Sequence, residues 1–365
     1  MDQCPLCGSR ENPVAVALGA CSACIKNGVK TALSNALECH ARTRREWGLP
    51  GNTPHSPGGI LCDICSNACR LGEGETGACG LRFNSGGKLV GVSELAGKAS
   101  FYLDPLPNNC TASRVCAGGT GAGYPDFANS PAPEEGYNNL SVFLTACSFD
   151  CLFCQNWTYR QGIFDLLYVQ PADIARTVNE RTSCICFFGG DPSPQAPFAL
   201  ETARAALEKN PGRILRICWE TNGSADPAYF DGMVELSLAT GGCVKVDLKA
   251  MDSNLHKALT GTDNKRTLEN FSRAAGRFRE RPSPPLLVAS TLLVPGYIDG
   301  EEVGRIASFI ASLDPEIPYT LLAFHPDFKM SDLPPTSREQ AQRCLAAARE
   351  AGLKKVHLGN ERLLE

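Results

Sequence analysis

Three cysteines within eight residues, Cys147-Ser-Phe-Asp-Cys151-Leu-Phe-Cys154, carry the densest chemistry in the sequence. Their C-x3-C-x2-C spacing, directly after the apolar run 140–144, points three thiolates at one metal centre. No histidine lies nearby to complete a tetrahedral zinc, and the adjacent Gln155 and Asn156 are poor ligands. Iron–sulfur clusters take cysteine thiolates, and a [4Fe-4S] cube has four irons to satisfy. Three local cysteines therefore leave one iron open to a ligand that is not protein. The plainer readings are three buried thiols, or a zinc completed from elsewhere in the chain.

Further cysteines are grouped ahead of the triad. Cys4-Pro-Leu-Cys7 and Cys21-Ser-Ala-Cys24 are two C-x2-C pairs separated by thirteen residues. Each pair offers two sulfurs from a tight turn, and two pairs complete a tetrahedron, as in a zinc ribbon. Structural zinc is the expectation, with an iron–sulfur cluster as the rival. Cys62-Asp-Ile-Cys65-Ser-Asn-Ala-Cys69, joined by Cys79 beyond Gly72, Gly74 and Gly77, offers four more sulfurs for zinc or an auxiliary cluster. Cys110 and Cys116 are close enough in sequence to be alternative ligands. Cys39 and Cys344 read as helix-packing residues. Cys184, Cys186, Cys218 and Cys243 fall in predicted strands, where free cysteine packs as a small hydrophobe. His256 reads as a helix-surface histidine, and Arg42-Thr-Arg-Arg45 as a solvated helix face.

From residue 139 onward, apolar runs at 140–145, 184–188, 214–219, 244–248, 286–294, 319–324 and 355–358 alternate with amphipathic stretches near 171–181, 196–209, 226–239, 265–280, 299–313 and 336–352. Continuous apolar strands alternating with helices indicate an α/β fold with a parallel sheet covered by helices. Six or seven repeats suit a partial (β/α)6-type, TIM-like barrel; a doubly wound open sheet is the alternative. Polar residues gather at the carboxyl ends of these runs, where a parallel barrel keeps its chemistry. They are Gly189-Gly190-Asp191, Glu220-Thr221-Asn222, Asp247-Leu-Lys249 and His325. The division is a zinc-ribbon-like module at 1–48, a Pro- and Gly-rich linker, a cysteine-rich accessory segment at 60–135 and the barrel at 136–365.

The chain has 365 residues and 43% hydrophobic content, enough for one barrel-sized domain and something smaller. A formal charge of −4, with no interleaved aromatic and basic residues near the amino terminus, argues against a nucleic-acid binder. No signal peptide opens the sequence and no apolar run approaches a membrane span. Nineteen cysteines, an odd number grouped in C-x2-C pairs, indicate metal or redox sites rather than a disulfide framework. The expected setting is a reducing, oxygen-poor cytoplasm.

With these residues in hand, the sequence from about Asn139 onward resembles radical S-adenosylmethionine (SAM) enzymes of the pyruvate formate-lyase activating enzyme type. The triad matches C-x3-C-x-aromatic-C, with Phe153 as the aromatic. Gly189-Gly-Asp191 stands where that family has Gly-Gly-Glu, and Glu220-Thr-Asn-Gly223 where it has Asp-Thr-Asn-Gly. The tail His325-Pro-Asp-Phe-Lys-Met330, with Leu333-Pro-Pro-Thr336 and Leu358-Gly-Asn360, and the Cys62–Cys79 block are more similar to the AmmeMemoRadiSam branch. The Cys4–Cys24 module and the Cys110–Cys116 region fit neither well.

The resemblance implies a [4Fe-4S] cluster on Cys147, Cys151 and Cys154, with SAM chelating the fourth iron. It implies that Gly189, Gly190 and Asp191 receive the SAM ammonium. Glu220 would accept from the ribose hydroxyls or, with Thr221 and Asp247, help bind a cation near the SAM carboxylate. Lys249 would supply positive charge to that carboxylate, and Asn222 would join the cofactor-binding set. Phe153 would border adenine, and His325 would lie on the adenosyl or substrate side. A flavodoxin- or ferredoxin-type reductant is implied as electron donor. The substrate is a glycine of a partner glycyl-radical protein, or another protein residue or small molecule. An iron–sulfur carrier or scaffold without SAM chemistry is the reading from another class.

Overall fold

The computed structural model describes residue 1 and residues 3–365. The seven apolar runs form seven strands: β1 Asn138–Leu144, β2 Thr182–Gly189, β3 Arg216–Thr221, β4 Val244–Asp247, β5 Leu287–Leu293, β6 Tyr319–Ala323 and β7 Val356–Gly359. They pair in parallel and in sequence order. An eighth strand, Ala99–Pro105, runs antiparallel along β1 and covers that edge. The fold class is therefore as expected: a mostly parallel α/β sheet, with seven parallel strands joined by six helical connections.

Strand alternation divides the residues between two faces. On β2, Ile185 and Phe187 turn toward the helices; Phe187 stacks on Trp219 of β3 with ring centroids 4.6 Å apart. Helices Ala196–Lys209, Pro227–Thr240, Lys265–Ala275, Gly300–Leu313 and Arg338–Glu350 bury Phe198, Phe230, Phe271, Ile306 and Leu345 in that core. Asp226, Asp299 and Ser337 start three of these helices by accepting backbone N–H bonds of the first turn. The helix expected near 171–181 is only Pro171–Ala175, because Thr177-Val-Asn179 favours a turn, and the one expected over 265–280 stops at Gly276.

The opposite, concave face carries Ser141, Cys186, Glu220, Lys245 and Ser290, not the bulky branched side chains that fill a closed barrel. That face is hollow, and its upper end holds the site.

Residues 1–48 share the barrel's core. Val14, Leu18, Ile25 and Ala32 are buried in the same cluster as the strands. The Tyr297 hydroxyl clamps this segment, accepting from the Ala15 N–H (2.9 Å) and donating to the Ala20 carbonyl (3.0 Å). The accessory segment forms two small hairpins, Ile60–Cys62 with Cys69–Leu71 and Arg82–Ser85 with Lys88–Gly91, before contributing the edge strand to the main sheet. Residues 106–136 then cross the concave face with one short helix, Ala117–Thr120. Glu134 anchors their far end, accepting two bonds from Arg216 at 2.9 and 2.6 Å.

Candidate active site

The triad begins where β1 ends. Ala146 takes a left-handed φ of +68°, an uncommon conformation for a residue with a side chain, and turns the chain sharply before Cys147. The loop after β2 lies directly against this turn: the Gly190 N–H donates to Leu144 O and the Asp191 N–H to Ala146 O, both at 2.9 Å. A β-carbon on Gly190 would stand 2.0 Å from the Ala146 carbonyl oxygen, and Gly189 has φ +112°. Both glycines are required for this approach.

Three segments hold the triad loop from behind. Asp150 accepts from Arg160 at 2.6 Å and lies 3.0 Å from His40 Nδ1, on helix Lys30–Glu46. Asn67, between Cys65 and Cys69, donates to the Ser148 carbonyl at 2.7 Å. Asn222, after β3, donates to Ser148 Oγ at 2.8 Å and reaches Cys147 Sγ at 3.6 Å. The amino-terminal segments thus buttress the triad.

One cleft of about 240 Å³ is lined by Cys147, Cys151, Cys154, Phe153, Gly189, Gly190, Asp191, Glu220, Thr221, Asn222, Asp247 and Lys249. These are the expected site residues with a single exception: His325 is exposed and does not line the cleft. Phe324 turns into the core at the end of β6, which leaves the next side chain facing outward.

Two acids of the cleft have protein partners that the sequence did not assign. Asp191 is buried and accepts from Ser193 N (2.7 Å), Thr221 Oγ1 (3.2 Å) and Asn222 N (2.6 Å), so its carboxylate organises the turn after β3. Burial nevertheless pushes its carboxyl up to about 6. Glu220 pairs with Lys245 Nζ at 2.5 Å. Lys245 was missing from the expected set. Its signal was the alternation Lys245, Asp247, Lys249, which places three charges on one face. As expected, Asp247 and Lys249 pair, at 2.6 Å; Ser290 also donates to Asp247, and the Lys249 ammonium stands 5.9 Å from the Phe153 ring centroid.

The donor set fits a cluster. Burial raises all three thiols, Cys147 strongly, Cys151 to about 12 and Cys154 as well, with Lys249 and Arg160 opposing at the last two. Such thiols stay protonated until a metal displaces the proton. Among the described residues, one group of three or more Cys, His, Asp or Glu ligand atoms lies wholly within 4.8 Å, and it is Cys4, Cys7, Cys21 and Cys24. The triad sulfurs are spread more widely, which suits ligands to separate irons rather than to one ion. Cys62, Cys65, Cys69 and Cys79 do not converge that closely either.

Two further expectations change. Cys110 and Cys116 lie away from the Cys62–Cys79 block and line the hollow beneath the cleft, together with Cys184, Cys186, Cys218 and Cys243. Cys184, Cys186, Cys218 and Cys243 therefore face a cavity, while Cys218 and Cys243 also pack, as expected, in a small apolar cluster with Ala112, Val115 and Val288. His256 is fully buried, edge-on to Phe149, with Nδ1 2.7 Å from Thr262 O. The helix Ser253–Thr260 turns it inward. Cys39 and Cys344 are packed helix residues, as expected.

Residues 141–310, which include the triad and most of the cleft, match the radical SAM superfamily model. The chain contains a radical SAM domain. The match supports an enzyme of the radical SAM class, a class whose cofactors are a [4Fe-4S] cluster and SAM.

An uncharacterised protein of Methanocaldococcus jannaschii is 27% identical over 314 residues, covering 82% of this chain and 81% of that one. The isethionate sulfite-lyase activating enzyme of Desulfovibrio desulfuricans is 32% identical over 167 residues, 46% of this chain; the match spans about half of that enzyme, 49%. The pyruvate formate-lyase 1-activating enzyme of Escherichia coli K12 is 23% identical, over 58% of this chain and 89% of that enzyme. A solved domain of a pyruvate-formate lyase-activating enzyme from Bacteroides vulgatus aligns over 48% of this chain and 98% of its own, with 22% identity and a TM-score of 0.39. In this chain the radical SAM domain is joined to amino-terminal segments that pack against the triad loop.

Proposed function

We propose that this chain is an activating enzyme: a radical SAM protein that takes a hydrogen atom from a glycine of a partner glycyl-radical protein. The observation that carries the reading is the convergence of the triad with the strand-end polar set on one cleft. When bound, a reduced [4Fe-4S] cluster and SAM supply a carbon-centred radical able to abstract hydrogen.

The chain's own residues have separable roles. Cys147, Cys151 and Cys154 would hold three irons of the cluster. Gly189 and Gly190 bring backbone carbonyls close enough to receive an ammonium, while Asp191 fixes Thr221 and Asn222 in place. Lys249, set by Asp247, offers positive charge to a carboxylate, and Glu220, held by Lys245, offers an acceptor to hydroxyls. Phe153 gives the cleft an apolar wall that excludes water.

The Cys4 quartet is proposed as structural zinc. Its sulfur separations of 4.0 and 3.7 Å match the edge of about 3.8 Å expected for a tetrahedron with Zn–S near 2.3 Å. For Cys62, Cys65, Cys69 and Cys79 the wider spread favours an auxiliary iron–sulfur cluster over zinc. The reductant is of flavodoxin or ferredoxin type, and the setting an oxygen-poor cytoplasm. Among the described residues no helix is long and apolar enough to cross a membrane.

Radical modification of another protein residue or a small molecule is the second reading, favoured by the longer match to the uncharacterised archaeal protein. A plain electron carrier has no use for a ligand-sized cleft. Reductive SAM cleavage by the wild-type chain, and its loss in Cys154→Ala, test the enzyme; a glycyl-radical electron paramagnetic resonance (EPR) doublet on a mixed partner protein tests the substrate.

A further inference from the structure

Beneath the SAM cleft the concave face encloses a second cavity of about 240 Å³, which shares Phe188, Glu220 and Lys245 with the cleft as a common wall. Six of the chain's nineteen cysteines line it. Cys184 and Cys186 come from β2 and Cys218 from β3; Cys243 immediately precedes β4, and Cys110 and Cys116 come from the segment crossing the face. Cys186 and Cys218 are direct register partners on neighbouring strands, so they face the cavity side by side. Cys110, Cys116, Cys218 and Cys243 form one small buried cluster with Ala112 and Val288. All six are free thiols.

Packing against Ala112, Val115 and Val288 accounts for only part of this arrangement. A cysteine used as a small hydrophobe belongs among apolar side chains, whereas these surround a hollow that also contains Lys245, Glu220, Arg216, Asn139 and Ser141. The Lys245 ammonium, almost fully buried, reaches Cys110 Sγ at 3.0 Å and Cys186 Sγ at 3.3 Å. An ammonium held between two sulfurs from opposite walls is suited to ligands that carry negative charge. No three of these cysteines bring their sulfurs within 4.8 Å of one another among the described residues, so the set is too open for one zinc ion. Sulfurs spread around a cavity can instead bind different irons of one cluster.

We propose that the barrel lumen binds an iron–sulfur cluster of at least two irons, held between Cys110 and Cys116 on one wall and Cys186 and Cys218 on the other. Lys245 donates to its ligating sulfurs and, through Glu220, joins it to the wall of the SAM cleft. This site is separate from the triad, from the Cys4 quartet and from the Cys62–Cys79 block.

The test uses the full chain reconstituted anaerobically with iron and sulfide, compared with Cys110→Ser/Cys116→Ser/Cys186→Ser/Cys218→Ser and, separately, Cys147→Ala/Cys151→Ala/Cys154→Ala. The lumen variant should lose about two or four irons and as many sulfides per chain, matching the stoichiometry of common clusters. It should keep the EPR signal that the triad variant lacks. The triad variant should in turn keep the signal that the lumen variant lacks, so that failure of the triad assignment is read separately. Unchanged iron, sulfide and EPR signals in the lumen variant overturn the proposal. If that variant does not fold, alkylation of the wild-type chain decides. Peptides carrying Cys110, Cys116, Cys186 and Cys218 should be labelled before reconstitution and protected after it; equal labelling in both states overturns the site.

Discussion

Asp191 stands where the resemblance has a glutamate, and the shorter acid lines the cleft with its carboxylate engaged by protein donors. Its two oxygens accept from two backbone N–H groups and one hydroxyl, which leaves little capacity for a substrate ammonium. In Asp191→Asn one oxygen becomes an NH2 facing a backbone N–H, so a buried donor loses its acceptor. The expected cost is about 1–3 kcal/mol. SAM affinity should fall about tenfold because the Thr221–Asn222 turn loosens, a change of ~1.4 kcal/mol. Thermal unfolding and calorimetric SAM titration measure both, and a variant unchanged in each contradicts this role.

His256 makes a pH-dependent contribution. Burial pulls it down to about 4, and its Nε2 has no partner. Below the ordinary value near 6.5 the unfolded chain takes up a proton that the folded chain refuses, so stability falls as pH falls from about 6.5 to about 4. The slope is about 1.4 kcal/mol per pH unit, reaching roughly 3 kcal/mol. His256→Gln should flatten this part of the stability profile in denaturant titrations. A variant with the wild-type slope would place the titration elsewhere.

At the scale of elements, the amino-terminal segment supports the triad through helix Lys30–Glu46, whose His40 is bonded to both Asp150 and the Ala258 carbonyl. The Cys4 quartet holds the start of this segment together, and a metal there adds binding free energy to folding. The expected result is about one zinc per chain, lost in Cys7→Ser/Cys21→Ser with a lower unfolding temperature. Iron in place of zinc, or a variant of unchanged stability, contradicts it.

The seven parallel strands were legible in the sequence because each is a short apolar run between turn signals. The edge strand Ala99–Pro105 was not, because most of its residues are at least partly exposed and it lacks such a run. The cavity beside the concave-face cysteines was missed for a related reason. Cysteine counts as apolar, so its alternation with Ile185 and Phe187 inside one apolar run is invisible until the two faces are distinguished. The cleft was legible because its residues sit at strand ends, where polar groups interrupt apolar runs. His325 obeyed the same rule yet points outward, since position along the chain does not fix which way a loop side chain turns.

For the molecule as a whole, the segment 106–136 closes the concave face, and the Glu134–Arg216 pair fastens it. Both side chains are buried, Ser183 also donates to Glu134, and Arg216 holds the carboxyl below its ordinary value despite burial. Removing one partner leaves the other charged and unpaired, so Arg216→Ala should cost about 3–5 kcal/mol. Replacing both, as Arg216→Met/Glu134→Leu, should recover most of that loss. Denaturant unfolding compares the two, and a double variant as unstable as the single would refute the fastening role.

The account as a whole depends on the triad and the cleft above it acting together. The direct measurement is made anaerobically: the chain is reconstituted with iron and sulfide, then given SAM and dithionite, and 5′-deoxyadenosine and methionine are counted. The wild-type chain should release the two products in equal amounts, while Cys154→Ala releases neither and retains its zinc. A wild-type chain that binds its cluster yet never cleaves SAM with a partner protein present, or a Cys154→Ala chain that cleaves at the wild-type rate, contradicts the account.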